Sequence, residues 1–180
     1  MYQVKDNKIY GSRIYLRLLV LDDASQEYCD WLNDPEVNKF LETRKSTIAE
    51  LKNYIQKQLD DPNALFYGIF DKSSDKHIGN IKLEPIDWQK KRAVFGILLG
   101  DMNYWGKGIG TEATRLIVDY VFGDLNFKEV ELGVIESNKR AIRVYEKVGF
   151  KIVTIKENSL NHDRVLYNEV IMLIKMPVNY

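Results

Sequence analysis

The sequence predicts an α+β domain layered α/β/α, with six to seven strands and about four helices, spanning residues 1–180 with a core at about 12–176. Three observations carry this. Segments with the two-residue period of a strand are interleaved with segments whose apolar residues recur every three to four positions, the period of a helix. Capping and turn residues fall where the period changes. No repeat, low-complexity tract or linker divides the chain, and its 180 residues suit one hydrophobic core.

Arg13 to Val20 alternates Ile14, Leu16 and Leu18 with Arg13 and Arg17 and reads as a strand. Asp22 or Asp23 can cap a helix from about Ala24 to Asn33, stopped by Asp34-Pro35. Ser46-Thr47 opens a second helix with Ile48, Leu51, Ile55 and Leu59 on one face, ending near Asp61-Pro62. Strands at Leu65–Phe70 and His77–Leu83 flank the polar turn Asp71–Asp75, and a longer strand runs from Arg92 to Leu99. A third helix covers Thr111–Phe122, with Gly123 at its end. A strand at Val130–Ile135 and a fourth helix at Ser137–Val148 follow. Phe150–Ile155 and Val165–Ile174 read as two final strands of a hairpin bridged by Asn158 to Asp163.

Composition narrows the function. Twenty-six basic residues balance twenty-six acidic ones, so the marked positive excess of a nucleic-acid coat or a polybasic membrane clamp is missing, and neither partner is expected. No window approaches the roughly 20 apolar residues of a membrane span. The polar opening residues lack the apolar core of a signal peptide, so a cytoplasmic location is expected. The one cysteine, Cys29, precludes an intrachain disulfide and a cysteine-rich zinc site; no metal is expected.

The most informative stretch is Trp105-Gly106-Lys107-Gly108-Ile109-Gly110-Thr111, where three glycines alternate between a strand and a helix. Bare backbone lets loop amides approach a ligand closely, and the helix dipole favours negative charge there, so residues 106–111 form a phosphate cradle. The stretch lacks the Lys-Ser/Thr of a P-loop. Gly108-Ile-Gly110-Thr-Glu-Ala113 formally matches a dinucleotide fingerprint, but that motif normally opens its domain, and here over 100 residues precede it. Downstream, Asn138 and Tyr145 are seven apart, two helical turns, and share a face.

The glycine loop, followed about thirty residues later by Ser137-Asn138-x-x-Ala141-x-x-x-Tyr145-Glu146-Lys147-x-Gly149-Phe150, resembles the GNAT superfamily of acetyl-CoA-dependent N-acetyltransferases. Trp105-Gly-Lys-Gly and Trp31-Leu-Asn-Asp-Pro-Glu-Val-Asn resemble its RimJ/RimL-like branch. Trp105 departs from the Arg or Gln that usually opens the family's loop.

The resemblance implies a mixed, mostly antiparallel, twisted sheet with a V-shaped splay between the strands at 92–99 and 130–135. It implies acetyl-CoA as co-substrate. The pantetheine arm would lie along Ile97, Leu98 and Leu99, and the pyrophosphate on the amides of residues 106–111, with Trp105 also in the cofactor set. Asn138 would bond the pantetheine, with Arg140 and Tyr145 completing the cofactor set. A primary amine would attack the thioester directly, with Tyr145 as the acid for the leaving thiolate. The base stays open: Glu84 is the first choice, ahead of Asp101, Glu136, His77 and His162, because the position where some relatives carry a Glu is Gly133. Phe40, Glu42 and Arg44 are candidate acceptor contacts. A small-molecule amine (a polyamine or an amino sugar) is favoured, a protein N-terminus is the second possibility, and dimers are common among proteins of this kind. Two other readings stand beside this one: a GNAT-shaped domain that binds CoA without catalysis, and, more remotely, an NAD-type dinucleotide-binding protein.

Overall fold

The structure, a computed structural model, describes residues 8–41, 45–162 and 165–177. The elements are β1 (Ile9–Tyr10), β2 (Ile14–Leu18), α1 (Gln26–Asn33), α2 (Ile48–Asp60), β3 (Leu65–Asp71), β4 (His77–Asp87), β5 (Arg92–Leu99), α3 (Ile109–Gly123), β6 (Glu129–Ile135), α4 (Lys139–Val148), β7 (Lys151–His162) and β8 (Val165–Lys175). Short 3-10 turns cover Leu21–Asp23, Asn38–Phe40 and Met102–Tyr104.

The strands form one sheet in the order β1-β2-β3-β4-β5-β6-β8-β7. Every neighbouring pair is antiparallel except β5 with β6. Eight strands exceed the six to seven expected because Ile9–Tyr10 adds a two-residue edge strand too short to leave a periodic pattern. Two other expectations also change. Ser25 caps α1, its hydroxyl accepting from the Tyr28 amide at 3.1 Å. Asp23 serves Arg17 instead, at 2.6 and 2.8 Å, and accepts from the Val20 amide. The hairpin also runs further than its apolar residues suggest: Leu160, Asn161 and His162 pair with Tyr167, Leu166 and Val165, so most of the expected bridge is strand.

Alternation along the strands builds a core on each face. Ile14, Leu16, Tyr67, Ile81, Leu83, Ala93, Phe95, Val130, Leu132, Val134 and Met172 meet Ile109, Ala113, Ile117 and Val121 of α3 and Ile142 and Tyr145 of α4. Leu19 and Phe66 meet Tyr28, Cys29, Trp31 and Leu32 of α1 and Leu51 and Ile55 of α2 on the opposite face. The Thr47–Glu50 capping box starts α2: Thr47 Oγ1 accepts from the Glu50 amide at 3.2 Å, and Glu50 accepts from the Thr47 amide at 2.8 Å.

The single parallel pair matters most for a site. β5 and β6 pair only at Arg92 with Glu129, Ala93 with Val130, and Val94 with Glu131. Beyond that point residues 95–99 stay paired with β4, residues 132–135 stay paired with β8, and the two strands part as a V.

Candidate active site

Two parallel strands that separate leave a crevice at their carboxyl ends, where open α/β sheets bind ligands. Here β5 runs out through a turn into the glycine loop and α3, and β6 runs through Glu136-Ser137 into α4. Two helix N-termini therefore stand at the mouth of the V, each presenting a positive dipole end. Gly106 and Gly108 have φ of +75° and +79°, left-handed values that β-carbon-bearing residues rarely adopt, and Gly108 is the N-cap of α3. A β-carbon on Gly106 or Gly110 would meet nothing within 4 Å, so the backbone at both positions borders open space. The residues fit a pyrophosphate.

The loop is anchored from behind. The guanidinium of Arg13 donates to the Lys107 carbonyl at 2.8 Å, and Arg13 gives Glu112 both its backbone amide (2.7 Å) and its Nε (2.8 Å). Burial alone would raise the Glu112 carboxyl, but the hydrogen bonds from Arg13 outweigh it and leave it lowered. Trp105 closes the side of the mouth. Its indole donates to the Leu99 carbonyl at 2.7 Å, and the Arg140 guanidinium sits over its ring at 5.0 Å. The loop and the start of α4 are thus tied together across the opening. One acceptor on the expected pantetheine edge is held by this indole, while Ile97, Leu98 and Leu99 are half-exposed along the parted segment.

Asn138 is the N-cap of α4, its Oδ1 accepting from the Ala141 amide at 3.2 Å. Two turns on, Tyr145 reaches the fork. Its ring lies 6.0 Å from Phe95, the first residue past the last β5–β6 pair, and 6.0 Å from Phe150; Phe95 and Phe150 are 6.3 Å apart. This aromatic triangle fills the fork from the α4 side. Burial pushes the Tyr145 hydroxyl up to about 12, so it stays protonated at any physiological pH.

The remaining candidates are more scattered. Glu84 ends the regular part of β4, ion-paired with Lys82 at 2.7 Å, and Lys82 also donates to the Tyr54 hydroxyl. His77 is enclosed by Tyr28, Trp31 and Phe70, with Nε2 against the Gly79 carbonyl and Asn80 Oδ1; burial lowers its pKa and keeps it neutral. Asp101 caps the turn before the loop and binds Lys76 at 2.8 Å, and Glu136 accepts from Asn168. Phe40 ends its 3-10 turn half-buried, with the Lys39 ammonium over its ring. Glu42 and Arg44 lie outside the described residues, as does the His162 side chain. Cys29 is buried in α1 and its thiol is pushed up by that burial, which leaves it inert. Sequence reading missed Arg13 and Glu112, because their contact spans 99 residues. Among the described residues no cluster of three metal-ligating side chains occurs, and no helix is long and apolar enough to cross a membrane.

A splayed parallel pair with a glycine loop at one strand end and a capped helix at the other is the arrangement that the resemblance to acetyl-CoA-dependent transferases implies. The family description "Acetyltransferase (GNAT) domain" matches residues 13–151, and the chain belongs to this family. It is similar to a probable N-acetyltransferase, YjcK, of Bacillus subtilis strain 168, 35% identical over 179 residues that cover 93% of this chain and 96% of the other. It is also similar to the spermidine N(1)-acetyltransferase of Escherichia coli K12, 29% identical over 128 residues, 71% of this chain and 65% of the other. In three dimensions it resembles the spermidine N-acetyltransferase of Vibrio cholerae in complex with CoA and spermine, with a TM-score of 0.83 at 22% identity, covering 92% and 96% of the two chains. At that identity the likeness concerns the fold.

Proposed function

We propose that this protein transfers the acetyl group of acetyl-CoA directly to a primary amine of a small molecule, a polyamine-like aliphatic amine first and an amino sugar second. The observation that carries the reading is the fork itself: one buried tyrosine at its apex and two helix N-termini at its mouth. Residues 106–111 would hold the pyrophosphate, the parted edge of Ile97, Leu98 and Leu99 the pantetheine, and Asn138 and Arg140 the flank of the arm. Bound there, acetyl-CoA supplies a thioester as the electrophile. Tyr145 holds a hydrogen bond at the sulfur and returns a proton to it.

Charge below the fork supports a cationic acceptor. A cavity of about 550 Å³ where β5 and β6 are still paired is lined by Asp87, Glu129, Glu131 and Trp88, against the single cation Arg92. Carboxylates with an aromatic face suit an aliphatic ammonium. The spermidine N(1)-acetyltransferase of Escherichia coli K12 points the same way. Trp31-Leu-Asn-Asp-Pro and Trp105-Gly-Lys-Gly resemble the RimJ/RimL-like branch and support that reading.

The experiment is an acceptor screen with acetyl-CoA against polyamines, amino sugars and N-terminal peptides, reading thiol release and product mass. Turnover is expected with spermidine or a similar amine. Tight CoA binding with no acetylated product would favour a non-catalytic CoA-binding domain. Thermal protection by NAD rather than acetyl-CoA would favour the dinucleotide reading.

A further inference from the structure

Glu169 lies in β8 opposite Ile135, but its side chain leans diagonally over β6. A β-carbon added to Gly133 would lie 2.1 Å from Glu169 Oε1 and 3.0 Å from its Cδ. The carboxylate therefore rests on the bare backbone of residue 133, in the space any side chain there would fill. That space is well placed, because residue 133 belongs to the part of β6 that has left β5 and walls the V. Val130, Leu132 and Val134 point into the α3–α4 core, so residue 133 faces the other side of the sheet, with Glu131 and the carboxylate-lined cavity.

Its neighbours leave this carboxylate available. Lys156 Nζ stands 3.8 Å away on a side chain that is 57% exposed, a geometry with little binding energy, and Ser159 Oγ lies at 3.5 Å. Glu84, by contrast, is held by Lys82 at 2.7 Å, and that ammonium would have to be displaced before Glu84 could take another.

We propose that Glu169 receives the acceptor's ammonium at the fork and takes its proton, an assignment that rests on the acetyltransferase reading above. The ammonium gives one proton to Glu169, and the freed nitrogen lone pair forms the C–N bond to the acetyl carbon. The C–S bond breaks with its electron pair on sulfur. The nitrogen sheds its second proton as sulfur gains one through Tyr145. Glu169 releases its proton to solvent, so the balance is one amide, one thiol and one proton from one ammonium and one thioester.

The test uses the full chain with acetyl-CoA and spermidine, and glucosamine as a second probe, for Glu169→Gln, Gly133→Ala and the double variant. The added methyl of Gly133→Ala meets the far end of a flexible side chain, so it should expel the carboxylate without breaking the strand. Each single variant is expected to lower kcat/KM about 100-fold, in the range typical of a general base. Acetyl-CoA affinity should be unchanged. The acid limb of the wild-type pH profile should vanish in Glu169→Gln, and the double variant should be no slower than either single one. Wild-type kcat/KM and pH profile in Glu169→Gln, or losses that multiply in the double variant, overturn the assignment while the acetyltransferase reading stands. A wild-type chain that acetylates no amine at all overturns that reading, and this assignment with it.

Discussion

Tyr145 joins the two properties that decide its role. It is buried with its ring edge-on to Phe95, and its hydroxyl makes no hydrogen bond to any described residue. With the hydroxyl pushed up to about 12, it is roughly three to four pH units weaker as an acid than an ordinary thiol. Tyr145 therefore suits sulfur as a hydrogen-bond donor whose proton moves late. Replacing it with Phe removes a buried polar group that has no protein partner, which is near neutral for stability, within about 1 kcal/mol. The same change should lower kcat by about 100-fold. Melting curves and steady-state kinetics on Tyr145→Phe check both halves, and an unchanged kcat removes Tyr145 from the chemistry. The places of the glycine loop, Asn138 and Tyr145 beside the fork were legible in the sequence because they are set locally: φ-permissive residues before a helix, a cap, and two helical turns between two side chains on one face. Glu169 was not, since its meeting with Gly133 depends on the β6–β8 register and on a side chain leaning across it. The ion pair of Glu84 with Lys82, two residues away along β4, has no periodic signature and shows only in the folded strand.

At the scale of elements, most strands and helices begin and end within a few residues of where the periodicity places them. The departures share one cause. β1, the far part of β4 beyond the Glu84-Pro85 bond, and the end of β7 are short or polar and owe their strand form to a neighbour's hydrogen bonds. The first turn of α3 likewise depends on a distant partner. Glu112 binds a backbone amide and a guanidinium of Arg13, while the Arg13 side chain also holds the Lys107 carbonyl. Arg13 is half-exposed, so its ion pair contributes little. The backbone amide is different, because Glu112→Ala strips it of its acceptor whereas Arg13→Ala leaves that bond in place. Glu112→Ala is thus expected to cost about 1 kcal/mol, since water can replace part of the lost acceptor at this exposed amide, and Arg13→Ala less. Both should raise the KM for acetyl-CoA by loosening the loop. Denaturant midpoints that rank the two variants in the opposite order would refute the anchor.

For the whole molecule, the V is a consequence of sheet order: one parallel pair in an otherwise antiparallel sheet, held by three residue pairs and opened above an aromatic triangle. The same aromatic burial sets how the protein responds to alkali. Tyr28, Tyr67 and Tyr145 are all buried, and burial raises each above the ordinary value of 10.0. Their folded pKa values lie above the unfolded ones, so their neutral forms support the fold fully below about pH 10. As pH rises further, the unfolded chain ionises these groups while the folded chain cannot, and stability falls. Tyr145 alone accounts for about 3 kcal/mol lost between pH 10 and its folded value of about 12, at roughly 1.4 kcal/mol per pH unit. With three such groups the loss steepens, and unfolding should set in before any of them ionises in the native state. Tyrosinate absorbance and far-UV circular dichroism followed together from pH 9 to 12 are expected to show a subset of tyrosines that ionise only as helicity disappears. Smooth titration of all tyrosines with the fold intact would mean that the rings at the fork are open to solvent, and Tyr145 would then be an ordinary surface phenol.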